Sequence, residues 1–202
     1  MAESIKIGNV EVTCVLDLIP PPRPTIAMFP DVSEAEWADH QYALEDGQLQ
    51  LYYNAFVVKS MDQLMMVDTG MGPGPHPDRG NLTGDLYNAI RPVISPPDIG
   101  DNRTNVSPSD QVNFVIHTHL HADHVGWNLR YQGGMPAPSF RRARYLIPKV
   151  DYDYFTEPDR LEALEYIQRQ VIPLRRLRLQ EIVEGEYQVN DEISTKPAPG
   201  NT

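Results

Sequence analysis

Residues 112–128 read Val-Asn-Phe-Val-Ile-His-Thr-His-Leu-His-Ala-Asp-His-Val-Gly-Trp-Asn. Four of the chain's six histidines fall in this stretch, His117, His119, His121 and His124, with Asp123 among them. The run before them, Val112 to Ile116, is β-branched or aromatic at four of five positions, which predicts a buried strand. That strand delivers imidazoles and a carboxylate at its C-terminal end, where α/β sheets carry their chemistry. His119 and His121 are one residue apart, so in extended backbone both rings point to one side and can hold one cation. A turn after them would aim Asp123 and His124 at a second cation close by. Imidazole and carboxylate together suit Zn²⁺, and also Mn²⁺ or Fe²⁺. Water held between two such ions loses its proton near neutral pH, which makes a nucleophile without serine or cysteine.

His119-Leu-His121-Ala-Asp123-His124 resembles the HxHxDH signature of the metallo-β-lactamase superfamily, and Val125-Gly126-Trp127-Asn128 is similar to its lactonase-like hydrolases. The resemblance implies that His119 and His121 hold one metal and that Asp123 and His124 hold the second. A complete family site takes two Zn²⁺ ions. His117 lies outside the signature and is not counted as a ligand. Asp68-Thr69-Gly70-Met71-Gly72 resembles the family's first motif, about fifty residues upstream, with Asp68 supporting the ligands from behind by hydrogen bonds. Its glycines let the backbone turn tightly. They lack the GxGxxG spacing of a dinucleotide site. Phe140 to Ile147 resembles the F-P-N-A-R-Y segment of the lactonase-like enzymes, with Arg141 where proline is usual. Ala198-Pro199-Gly200-Asn201-Thr202 resembles the third motif, Pro-Gly-His-Thr, whose histidine completes the first metal's ligands. Asn201 stands at that third-ligand position, and an amide binds zinc far more weakly than imidazole does.

The fold implied is α+β, the αββα sandwich of that superfamily, truncated in its C-terminal half, so that residues 1–202 make one partial domain. A sheet left without its partner exposes an apolar face, and self-association through that face is expected. The function implied is zinc-dependent attack of water on a small-molecule lactone or ester. Asp123 would hold the second metal and serve catalysis as the proton shuttle, with activity impaired in this chain. His121 argues against the di-iron redox branch, which carries Glu there. A thioester hydrolase like glyoxalase II or a sulfur dioxygenase keeps the same motif. The alternative of another class is a non-catalytic relic, or a module that binds metal or a partner without turnover.

Composition narrows the partners. The formal net charge is −11, with 17 Lys and Arg against 28 Asp and Glu. Nucleic acid is therefore a poor partner, and Arg175-Arg176-Leu177-Arg178 reads as a helix face. No run approaches the about 18 apolar residues of a membrane span. The N-terminus lacks a signal-peptide pattern, so the expected location is the cytoplasm, and the sequons at Asn81, Asn102 and Asn105 are chance matches. The single cysteine, Cys14, forms no disulfide within the chain and reads as a core residue.

Along the chain, Ile5 to Leu18 predicts a hairpin about Gly8-Asn9, followed by a proline connector at residues 20–24. Ser33 and Glu36 form a capping box for a helix over Glu34 to His40. Leu49 to Lys59 and Leu64 to Asp68 predict strands. Leu82 to Val93 predicts a helix ended by Pro92, with Leu86 and Ile90 on one face. Ser95 to Ser109 and Tyr131 to Ser139 read as loops, and His40 and His76 as solvated. Phe140 to Ile147 reads as a strand, and Tyr152, Tyr154 and Phe155 as core rather than the wall of a substrate pocket. A helix runs from Thr156 to about Gln170 and breaks at Pro173, with another short helix over Arg175 to Glu184. Tyr187 to Val189 and Ile193 to Lys196 read as a last strand pair around Asn190-Asp191.

Overall fold

Alternation and β-branching along the chain build one mixed sheet of seven strands. The structure, a computed structural model, describes residues 3–94 and 107–200. In spatial order the strands are Ser4–Ile7, Val10–Leu18, Tyr53–Ser60, Gln63–Val67, Phe114–Ile116, Arg144–Pro148 and Gln180–Val183. The first four pair antiparallel. From Gln63–Val67 onward every pairing is parallel. Parallel neighbours need long crossovers, and these carry the helices to one face. Phe114–Ile116 has a parallel partner on each side, which explains its apolar run.

The main core lies between the sheet and those helices. Val57, Met66, Val115, Tyr145 and Ile147 from the sheet meet Leu86, Ile90, Ile167 and Leu174. The opposite face carries a smaller cluster of Val10, Val58, Met65, Ile116 and Leu146. A hairpin of Tyr187–Gln188 with Ser194–Thr195 covers part of it through Tyr187, Val189 and Ile193. Beside the hairpin an apolar groove of about 460 Å³ stays open. On the neighbouring edge strand Ile5 and Ile7 are 61% and 64% exposed. Among the described residues no helix is long and apolar enough to cross a membrane.

The N-terminal hairpin, the Ser33–Glu36 capping box and the meander of residues 53–67 form as the sequence predicts. His40 is exposed. Several segments differ. Gln180–Val183 is a strand rather than part of a helix: Arg178 turns to φ 59°, which ends the helix Ile172–Arg176, and Ile182-Val183 then finds a ladder on Arg144–Pro148. The helix after Thr156 breaks at Leu164 into Pro158–Ala163 and Glu165–Gln170. Pro173 does not break a helix. It sits in the first turn of Ile172–Arg176, where its missing N–H leaves no bond unmade. Pro92 likewise lies inside the short helix Arg91–Ile94, which follows Leu86–Ala89. Residues 129–138 are a hairpin, Leu129–Gln132 with Met135–Pro138, turning on Gly133 and Gly134, both at positive φ. Phe140 to Ala143 is a turn before the strand Arg144–Pro148. Phe155 is core but Tyr154 is 42% exposed, because the helix Lys149–Phe155 turns the two to different sides. Cys14 is half-exposed on the strand Val10–Leu18, not fully in the core. His76 is half-buried, with Nε2 3.1 Å from the Gly72 carbonyl oxygen. Residues 95–106, most of the expected Ser95–Ser109 loop, and Asn201 lie outside the described residues.

Candidate metal centre

The site forms along one edge of the sheet, where several strands end together. Asp68 follows Gln63–Val67 directly, His117 to His119 follow Phe114–Ile116, and Asp151 comes one turn after Arg144–Pro148. Ends of parallel strands leave their outgoing loops side by side, and those loops carry the reactive groups here. Asp68 takes φ 59°, a left-handed conformation that aspartate tolerates better than most residues. Its carboxylate is thereby turned back toward the histidine loop.

Asp68 fixes the proton positions of two imidazoles. Its Oδ1 accepts the Thr118 backbone N–H at 2.9 Å, and its Oδ2 accepts the Thr118 hydroxyl at 2.7 Å. With its one proton given to Asp68, the Thr118 hydroxyl can only accept from His119 Nδ1, 3.0 Å away. His119 therefore carries its proton on Nδ1 and leaves Nε2 as a lone pair. That Nε2 lies 3.0 Å from His121 Nδ1. Asp68 Oδ2 also accepts from His124 Nδ1 at 2.8 Å, so His124 turns Nε2 toward Asp123, 3.5 Å from its Oδ2. The His119 and His124 rings are 3.9 Å apart between centroids, which puts the two donor pairs side by side. Asp151 pins the segment from below, its Oδ1 accepting the Leu120 N–H at 3.2 Å. Phe155 packs edge-on against His121.

The electrostatics keep His119 neutral and the two aspartates ionised, while His124 holds a second proton that metal binding at Nε2 would have to displace. Burial opposes ionisation of Asp68, but its hydrogen bond with the His124 imidazole outweighs it and holds the carboxyl far below its usual range. Burial, then His124 and His121, lower His119 and keep it neutral. Burial opposes ionisation of Asp123 too, and the His124 contact overrides it. His124 itself is pushed up to about 9: burial lowers it, but Asp123 and Asp68 raise it more. Burial, with Asp123 adding, pushes the Tyr166 phenol up to about 12. His117 is buried with Nδ1 3.8 Å from Asp68 Oδ1, too far for a hydrogen bond, and neither ring nitrogen has a hydrogen-bond partner among the described residues.

Among the described residues no three His, Cys, Asp or Glu side chains are gathered closely enough to enclose one ion. The donors stand instead as two pairs. Two nitrogens 3.0 Å apart can each lie about 2.0–2.1 Å from one zinc ion at an angle of roughly 90–95°. Neutral nitrogen on one side and carboxylate beside imidazole on the other is a donor set that fits zinc.

The model of the metallo-beta-lactamase superfamily matches residues 50–202. The chain belongs to the metallo-β-lactamase superfamily. No curated protein matches it by sequence. Among solved structures, a probable metal-dependent hydrolase from Staphylococcus aureus superposes with a TM-score of 0.71 at 16% identity, over 95% of this chain and 65% of that one. The hydrolase AbOPH of the beta lactamase superfamily gives 0.66 at 19% identity, over 91% and 60%. AidC, a dizinc quorum-quenching lactonase, gives 0.65 at 20% identity, over 94% and 62%. At these identities the likeness is one of fold. This chain spans 60–65% of the length of those three structures.

Within this metallo-β-lactamase superfamily chain, the structure brings His119, His121, Asp123, His124 and Asp68 together, as the motif spacing predicts. Four contributors were not picked out from the sequence. Thr118 stands directly before the signature, with no role that the pattern assigns. Asp151, Tyr166 and Asp17 are far from it in sequence, and no short pattern marks them.

Proposed function

We propose that this site binds divalent metal, zinc foremost, and serves hydrolysis of a small-molecule lactone or ester. The observation carrying this reading is the Asp68–Thr118–His119 relay, which leaves His119 Nε2 as a lone pair facing His121 Nδ1 at 3.0 Å. With a proton on His121 Nδ1 the pair is a hydrogen bond, and a cation can take that proton's place between the two nitrogens. His119 and His121 would hold one ion, and Asp123 with His124 Nε2 the second. Bound metal would polarise the carbonyl and make water acidic enough to attack near neutral pH. Asp123, kept ionised by His124, accepts the proton of the attacking water and returns it to the leaving oxygen. Tyr166 stays protonated at neutral pH and can donate to a substrate oxygen beside Asp123.

Turnover by this chain is proposed to be low, because Asn201 stands where the resemblance puts the third ligand of the first ion. A binding module without turnover is the second reading, and the same residue favours it. Metal analysis after zinc loading and desalting, followed by a lactone hydrolysis assay, tests both. More zinc retained by the wild type than by H119A/H121A, which keeps only the Asp123–His124 pair, is expected. No zinc in either protein would end the metal reading, and zinc without any turnover would leave the binding module.

A further inference from the structure

Asp17 is a buried carboxylate outside the histidine loop. It lies in the strand Val10–Leu18, where pairing with Tyr53–Ser60 slips between Leu16 and Leu18. The slip is a bulge at Asp17 itself, and a bulge re-aims the side chain it carries. Leu16 points out, 41% exposed, while Asp17 turns in and is 5% exposed. Val10–Leu18 runs in the same direction as Gln63–Val67, two strands over, so Asp17 arrives at the same sheet edge as Asp68.

Its two oxygens accept four N–H groups from three segments. Oδ2 takes Met71 N at 2.7 Å and Gly72 N at 3.3 Å. Oδ1 takes Leu86 N at 2.8 Å and the Trp127 indole Nε1 at 2.9 Å. Glycines make room for it: a Cβ at Gly70 would stand 2.4 Å from Oδ2, and one at Gly84 2.5 Å from Oδ1. The two segments it joins are also in backbone contact. A Cβ at Gly126 would meet the Met71 carbonyl at 2.0 Å. Gly126 N donates to Gly70 O at 2.7 Å, Trp127 N to Thr69 O at 3.1 Å, and Thr69 N to His124 O at 2.8 Å.

We infer that Asp17 is a positioning residue, whose carboxylate clamps the loop after Asp68 to the turn after His124 and so sets the geometry of the Asp123–His124 pair. The inference rests on the proposed metal-binding role of that pair. All four of its partners are donors held by the backbone or by a fixed indole. An amide at this position must turn its NH₂ toward two of them, so Asp17→Asn loses about half the clamp and adds a donor–donor clash. His119 and His121 hang from Thr118 and Asp151 instead, and feel the change far less. The clamp therefore acts on one half of the centre.

The test uses the full chain and four proteins: wild type, D17N, W127F, which removes a single donor, and V15A, which opens a cavity in the same strand away from the loops. Cobalt(II) alone is the metal probe, titrated by visible absorbance at a temperature where each protein is folded. Amide exchange at residues 123–127 is measured separately on the metal-free proteins. D17N is expected to weaken the second cobalt ion by about 10–100-fold while the first is unchanged. W127F should show a smaller loss in the same direction, and it keeps the test alive if D17N does not fold. V15A should lose stability without changing either affinity. Equal second-ion affinity in wild type, D17N and W127F would overturn the inference, as would an equal loss in V15A. If the wild type binds no cobalt, it is the metal reading that fails. Exchange at residues 123–127 then decides: faster in D17N or W127F than in V15A supports the clamp, and no difference overturns it.

Discussion

His119 Nε2 and His121 Nδ1 face each other across 3.0 Å, and the proton of His119 is already committed at Nδ1 to the Thr118 hydroxyl. Only a proton on His121 or a shared cation can reconcile two such nitrogens. Zinc should therefore stabilise the folded chain, by about 2.7 kcal/mol at a hundred times its dissociation constant. Thermal melts with zinc and with chelator measure this. H119A and H121A should each show a clearly smaller zinc shift than the wild type, since only the Asp123–His124 pair is left intact, and a shift as large as the wild type's in either would count against the pair.

Thr118→Val keeps the shape of the side chain and removes the relay. Asp68 Oδ2 loses a donor, and His119 is free to move its proton to Nε2, the ligating atom. Zinc affinity should fall about tenfold, the lower end of what partners behind a ligand contribute. Thr118→Ser restores the hydroxyl and should recover most of it. Nitrogen chemical shifts of His119 read the tautomer directly, and an unchanged tautomer in the valine variant would defeat the relay.

The histidine loop was legible because its chemistry is local. His119, His121, Asp123 and His124 sit within six residues, and an apolar strand must precede them. Asp68 was legible from its position after a strand and before glycines. Asp17 and Asp151 were not, because each reaches the site through tertiary structure: one by a bulge in a strand, the other by a helix that Pro148 opens. The same limit explains Gln180–Val183. Its strand state depends on a ladder with Arg144–Pro148 that no local pattern encodes. The ends of the outer helices are hard to read from sequence for a different reason. Proline opens a helix as readily as it closes one, and Pro92 and Pro173 do the former.

Arg141, where the resembling segment usually has proline, ties the turn before one strand to the turn before another. Its Nε donates to Asp110 Oδ1 at 3.0 Å, and the guanidinium also meets Oδ2. Asp110 is 7% exposed, and the bond to Arg141 holds its carboxyl below the usual range despite burial. A depressed carboxylate adds stability above its unfolded pKa and loses it as pH falls through the folded value. R141A should therefore be modestly destabilised at neutral pH, since it leaves the Asp110 carboxylate short of donors while the guanidinium it removes is largely exposed. The gap to the wild type should narrow below about pH 4, where the unfolded chain's carboxylates protonate. Urea unfolding at pH 7 and pH 3.5 checks it, and a gap that does not change with pH would be the contrary result.

Asn201 replaces an imidazole with an amide at the position that the resemblance assigns to the third ligand. Catalytic zinc usually keeps three protein ligands and one open position, so His119 and His121 alone would leave a bound ion short of a donor. Asn201→His should tighten binding of the first ion by at least tenfold and raise lactone turnover by less. Equal zinc affinity in both forms would show that residue 201 does not face the metal.

The last expectation concerns the sheet face away from the helices. Val10, Val58, Met65, Ile116 and Leu146 lie there beneath a single small hairpin, with an open apolar groove beside it. Ile7 lines that groove and stands exposed on the edge strand, whose outer backbone groups can pair with another chain. Apolar burial favours association through this face, and a net charge of −11 opposes it. Salt screens the second term and leaves the first, since the Debye length shrinks from about 10 Å at 0.1 M to about 3 Å at 1 M. Light scattering should therefore show mass rising with concentration, and more steeply at high salt. Ile7→Lys puts a charge on both the groove and the edge and should return the protein to monomer. A wild-type monomer that persists at high concentration and high salt would rule out association through this face.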